Sequence, residues 1–255
     1  MKNLRTDYKS LAKSLLSGKF GAVIAFLLIV FLINIVLQSI SDVFDPGLTY
    51  SVELGRFIYE SGYGFFSTNG IIYSVIRLIN FVITALIGYA TIHLFIEVAN
   101  NIKPNAGESL TEGFTENPLR TILTYLLEYV LLILWFFLFI IPFFIKTYAY
   151  AMSIFLLNKE PHINPNEAIS KSQRCMKGYK MDLFILDLSF IGWYLLSILT
   201  LGILLLYVIP YHITTRTLYM EEIYEGYRRL NNPNYNNNET DPFEKETSTD
   251  PFDQY

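Results

Sequence analysis

Cysteine and histidine are nearly missing from this chain. One cysteine, Cys175, and three histidines occur in 255 residues, which excludes an intrachain disulfide and a cysteine-based zinc cluster. No H-E-x-x-H, nucleophile-elbow or Walker A string is present, so the sequence offers no foothold for those chemistries. Charge is scarce as well. Asp, Glu, Lys and Arg make up 16% of the chain, against about 25% in an ordinary soluble domain. The net charge of −4 is no nucleic-acid signature, because the acids gather in the tail and the bases in short segments flanking apolar runs. We therefore expect no nucleic acid, no metal and no cofactor, and a protein that is not an enzyme.

Apolar residues are abundant, at 52%, and clumped. Phe20 to Ile40 carries no charge, and Ile122 to Ile145 carries only Glu128. A bilayer core about 30 Å thick needs about 20 such residues in a helix. The reading is an all-α, polytopic transmembrane helical bundle of about six spans with two amphipathic interfacial helices. The run from Phe20 follows a basic segment and lacks an A-x-A-like cleavage site, so it reads as a retained anchor.

Residues 1–19 form the first interfacial helix. Leu4, Tyr8, Leu11, Ala12 and Leu15 share one helical face, Lys2, Arg5, Lys9 and Lys13 a neighbouring one, and Gly18 ends it. The bundle is expected over 20–225, with spans at 20–40, 71–96, 119–133, 136–157, 181–199 and 203–221. Two loose tips are implied, near Leu131 to Trp135 and at Thr200-Leu201-Gly202. The loop after the first span is acidic and aromatic with one base, Arg56, while five bases precede that span. By the positive-inside tendency both termini are cytoplasmic at a cell membrane, and labelling of Cys175 from outside intact cells would contradict this.

The second interfacial helix is predicted over 165–177. Asn164 sits at its cap, Pro165 at its first position and Glu167 in its first turn. Ala168, Ile169, Ser172, Cys175, Met176 and Tyr179 fall on one side, and the bases Lys171, Arg174 and Lys177 on the other. Gly178 repeats the part of Gly18. The partners implied are the lipid bilayer and its anionic headgroups.

"FIIPFFIKTYAYAM" and "YVIPYHITTRTLYM" share proline, isoleucine and methionine spacing, with Pro142 and Pro210 as expected helix kinks. Residues 226–255 read as a disordered, Asn-rich acidic tail. It carries Thr-Asp-Pro-Phe twice, through Asp241, Pro242, Phe243 and Asp250, Pro251, Phe252, a motif that offers other membrane or cytoplasmic proteins a double contact.

"LAKSLLSGKFGAVI", "IIPFFIKTYAYAMSIFLLNKEP" and "AISKSQRCMKGYKMDLFILDLSFIGWYLLSILTLGILLLYVIPY" together resemble a bacterial integral-membrane family, domain of unknown function 975, over about Leu4 to Glu225. Phe143 stands where that family usually has glycine. The resemblance implies a multi-span protein, chiefly of Gram-positive bacteria, and supplies no catalytic residues.

Four ionisable groups lie within the apolar hairpins: Glu128, Lys146, Asp187 and Arg216. Charges at such depth are costly and face the bundle interior in pairs. The expected pairs are Glu128 with Lys146 and Asp187 with Arg216; alternatively Lys146 lies between both acids. Thr214, Thr215, Tyr148 and His212 are further donors or acceptors nearby. Two functions compete: a non-enzymatic envelope scaffold, sensor or accessory protein, and a small-solute transporter or permeation module using these charges.

Overall fold

The computed structural model describes residues 2–45, 49–53, 56–60, 68–138 and 140–231. Within them run α1 (Lys2–Leu16), α2 (Phe20–Val43), β1 (Thr49–Glu53), β2 (Arg56–Glu60), α3 (Thr68–Ala99) and α4 (Ala106–Thr115). There follow α5 (Pro118–Leu138), α6 (Ile140–Tyr150), α7 (Ser153–Lys159), α8 (Pro165–Cys175), α9 (Lys180–Leu188), α10 (Ile191–Leu199) and α11 (Leu205–Asn231). The protein is all-α apart from one short antiparallel strand pair, registered Thr49 to Glu60 and Glu53 to Arg56. The two strands are rich in aromatic and β-branched residues, which favour a pleated backbone.

Among the described residues, five segments are long and apolar enough to cross a membrane: Phe20–Val43, Gly70–Ala99, Pro118–Leu138, Ile141–Lys159 and Lys180–Leu199. Helix α11 has the length, but its first 18 residues already carry Arg216, Glu221 and Glu222, so the predicted span at 203–221 is not among the five. Burial is uneven along the bundle. Leu16, Val23 and Phe26 pack on Ala90, Leu94 and Phe95 at one end of α2 and α3. Toward the other end, Phe137 is 81% exposed, Leu199 80% and Leu201 94%. An apolar surface that extensive needs a nonaqueous neighbour.

The glycine corners hold. Gly18, Gly178 and Gly202 take φ of +83°, +93° and +87°, the left-handed region that side chains disfavour. The two corners that follow the basic helices match bond for bond. Lys19 N–H donates to Leu16 O at 2.9 Å as Tyr179 N–H does to Met176 O at 3.2 Å; Val23 to Lys19 O corresponds to Leu183 to Tyr179 O.

Several expectations are corrected. Helix α5 runs through the predicted tip at Leu131 to Trp135 and ends at Leu138, and α6 begins at Ile140; an unbroken apolar run carries no turn signal. Pro142 therefore falls in the first turn of α6, where no intrahelical bond is lost, and is not a kink; Pro210 does lie inside α11. The predicted 181–199 helix is divided at Ser189-Phe190, where Phe190 N–H reaches Asp187 O at 3.0 Å in a tighter turn. Helix α11 runs to Asn231, beyond the predicted boundary at 225. Arg228 and Arg229 in its last turn complement the helix dipole. The tail motifs at Asp241 to Phe243 and Asp250 to Phe252 lie outside the described residues.

The connector at 98–118 contains α4, started by Asn105, whose side chain accepts from Gly107 N–H at 3.2 Å. It lies against α3 because Gly113 has no side chain. A Cβ there would stand 2.7 Å from both Leu86 O and the Ala90 Cβ. Gly113→Leu is expected to cost about 1–3 kcal/mol, as overpacking does, read as a lower thermal midpoint in detergent.

Candidate functional site

Helix α8 has the predicted start in its backbone: Asn164 is extended, Pro165 is the first helical residue, and the Asn164 side chain makes no capping bond. Its apolar face is buried as expected at Ala168, Ile169, Cys175 and Met176, while Tyr179 is exposed. That face is covered by protein, α5, α6 and α7, and not by lipid. Ser172 explains the fit. Helices α6 and α7 are interrupted at Ala151-Met152, which frees backbone groups. Fully buried Ser172 Oγ donates to Ala149 O at 2.8 Å and accepts from Met152 N–H at 3.1 Å.

The predicted basic face is divided. Lys171 is turned inward and ion-paired with Glu160, which also accepts from Tyr224 Oη at 2.9 Å. Its ammonium sits over the Tyr224 and Tyr227 rings. Arg174 and Lys177 remain exposed. Amphipathic spacing alone does not say which element covers a helix, and here α11 and α7 supply partners for the one base nearest them. Close by, Lys159 Nζ is 2.5 Å from Glu221 Oε1.

Buried Cys175 bears on topology. Burial pushes its thiol up to about 11, so the reactive thiolate is scarce at neutral pH. Cys175 is expected to stay unlabelled by an impermeant maleimide at pH 8 from either side and to react once the protein is denatured, so the labelling test proposed from sequence carries no topological information. Lys177→Cys in a Cys175→Ala background supplies the exposed thiol instead.

Within the apolar hairpins, Asp187 and Arg216 meet as predicted, Oδ2 to Nη1 at 3.6 Å. A longer chain surrounds them. His212 lies one turn before Arg216 on α11, and its Nε2 is 2.9 Å from Asp187 Oδ1. The other ring nitrogen, Nδ1, is 2.9 Å from Tyr194 Oη on α10. Tyr148 on α6 packs its ring against Phe184 of α9. Phe190, at the α9–α10 break, is fully buried and stacks on the His212 ring with centroids 4.4 Å apart. Lys9 of α1 sits 4.5 Å from the centroid of the same Phe190 ring. Burial lowers the Lys9 pKa from the usual lysine range.

Tyr194 was missed, although its place seven residues after Asp187 puts it on the same helical face two turns on. Thr214 and Thr215 are buried; Thr215 donates to Tyr211 O one turn back and the Thr214 hydroxyl has no partner.

Glu128 and Lys146 do not pair. Glu128 lies ten residues before the end of α5 at Leu138 and Lys146 six residues after the start of α6 at Ile140, a difference of about four residues, roughly 6 Å along the helices. Lys146 Nζ instead donates to Gln173 Oε1 at 3.0 Å and lies 4.7 Å from the Trp135 ring centroid. Among the described residues no hydrogen bond or ion pair reaches Glu128. Nor does Lys146 lie between two acids.

Arg120 was not anticipated. Its guanidinium donates to Leu157 O at 2.9 Å and Glu160 O at 3.0 Å, and also to Pro161 O. These are the carbonyls at the end of α7, where a cation complements the helix dipole. On the opposite flank His93 Nε2 of α3 is 2.6 Å from Glu112 Oε2 of α4, and Ser109 donates to Glu97 at 3.2 Å. Among the described residues no group of three or more His, Cys, Asp and Glu is arranged to hold a metal ion.

A family model described as a protein of unknown function, DUF975, matches residues 1–149 and 140–226. No curated protein and no solved structure matches the chain.

Proposed function

Since the chain belongs to the DUF975 family of proteins of unknown function, we propose from its own chemistry that it is a non-enzymatic scaffold or accessory protein of a bacterial cell membrane. The observation that carries this reading is the closure of the Tyr194–His212–Asp187–Arg216 chain upon itself. Groups that a permeation path would present to a solute are taken up by neighbouring helices. Lys146 is likewise occupied by Gln173 and Trp135.

Both termini are proposed to lie in the cytoplasm. Four apolar segments separate the Gly18 and Gly178 corners, and an even number of crossings returns the two basic helices to one side. Helix α11 then acts as a sixth crossing. Its Leu218 packs with Tyr8 and Ala12 of α1, which supports a return to the side where the chain begins. Lys177→Cys labelled only after the membrane is opened is the outcome this topology requires.

The partners are other membrane or cytoplasmic proteins met through the double Thr-Asp-Pro-Phe tail. Crosslinked co-purification from the native membrane tests this, comparing the full chain with one ended at Asn231. Defined partners lost on truncation are expected; identical sets from both chains would contradict the role of the tail. The second reading, small-solute permeation, has the protonatable Tyr194–His212–Asp187 chain in its favour.

A further inference from the structure

Between α6 and α9 lies an open groove of about 470 Å³, lined by Phe144, Ile145, Tyr148, Lys180, Met181 and Phe184. Its size falls within the range of small-molecule sites, roughly 300–1,000 Å³. The exposed lining is apolar, made of aromatic rings, aliphatic stems and the Met181 thioether. The walls are open sideways: Phe144 is 58% exposed, Met181 64% and Phe184 40%. Tyr148 and Phe184 meet edge to face, with centroids 5.8 Å apart, and join the two helices across it.

A basic residue stands among those lining the groove. Lys180 is the first residue of α9, and exposed Lys177 precedes it across the Gly178 corner, with exposed Arg174 a turn earlier. Asp182, the acid in this turn, already has a partner. An apolar slot that opens sideways beside Lys180 has the complement of an anionic glycerophospholipid, whose acyl chain fits the slot while its phosphate meets the Lys180 ammonium.

We propose that the α6–α9 groove is a binding site for one anionic phospholipid, its acyl chain against Phe144, Tyr148 and Phe184 and its phosphate at Lys180. The site needs only the placement of these helices in a bilayer and does not depend on the scaffold reading.

The test is native mass spectrometry of the full-length protein purified in detergent with equal added phosphatidylglycerol and phosphatidylcholine. The wild type is expected to retain phosphatidylglycerol preferentially. Lys180→Ala is expected to lower that preference about fivefold, as for the loss of one base near an anionic headgroup. Met181→Trp, which fills the groove, is expected to reduce retention of both lipids; Ile145→Trp from the opposite wall serves if that variant does not fold. Lys13→Ala, an exposed base on α1, is expected to change nothing. Equal retention of the two lipids by the wild type would overturn the proposal. So would a loss in Lys13→Ala as large as in Lys180→Ala, or unchanged retention in the groove-filling variants. A protein that retains no lipid of either kind would count against the bilayer placement itself.

Discussion

Asp187→Ala is expected to lower stability by about 3–5 kcal/mol, the usual cost of removing one partner from a buried ionic group. In a chain of this size that is a fall in thermal midpoint of about 10 °C. Asp187 is 17% exposed and its partner His212 15%, so little water is available to replace the lost carboxylate. Without it His212 and Arg216 face each other, and the ring loses the bond that orients it toward Tyr194. Two helices are then untied, because Asp187 holds α9 to α11 close to Pro210, where α11 has already lost a backbone bond. A companion variant separates structure from transport. Asp187→Leu with His212→Phe and Arg216→Leu removes the whole group, and replacement of a complete buried ionic cluster by packed apolar residues is often neutral or better. The triple variant is expected to regain most of the midpoint lost by the single one. Thermal unfolding in detergent micelles reads both.

Arg120→Ala is expected to be the second most costly change. A hydrogen bond from a charged donor contributes about 1.5–3 kcal/mol, and Arg120 donates to the carbonyls of Leu157 and Glu160 as well as Pro161. Those acceptors end α7, whose Ile154 to Leu157 are all buried, so they have few other donors at hand. A loss of about 3 kcal/mol follows, seen as a midpoint drop and as earlier proteolysis between α7 and α8. Arg120→Lys keeps the charge but loses the planar fork that reaches several carbonyls. It is expected to recover less than half.

The fold was legible where the sequence carries punctuation. Gly18, Gly178 and Gly202 mark helix ends because glycine takes the left-handed backbone at no steric cost. Pro165 marks a helix start because its missing N–H is harmless in a first turn. Asp187 and Arg216 were paired from depth alone, since both lie close to the same end of the second hairpin. Elsewhere the sequence is silent for physical reasons. From Val130 to Ile141 there is no charged or turn-forming residue, so nothing fixes the hairpin tip, and the extension of α5 to Leu138 separates Glu128 from Lys146. Amphipathic spacing identified the buried face of α8, but a period reports an apolar side and not its cover. That is why Lys171, grouped with Arg174 and Lys177, lies in an internal ion pair. Arg120 acts through a tertiary contact to the end of α7, which no local pattern announces.

The central claim is that the ionisable groups among these helices fasten the bundle and do not carry charge across it. Proton flux into liposomes containing the purified full chain, with an imposed pH gradient and an entrapped pH-sensitive dye, tests it most directly. The account predicts that wild-type protein and Asp187→Asn dissipate the gradient no faster than protein-free liposomes, while Asp187→Asn unfolds at a lower temperature. Rapid dissipation by the wild type, abolished in Asp187→Asn with an unchanged thermal midpoint, would contradict it.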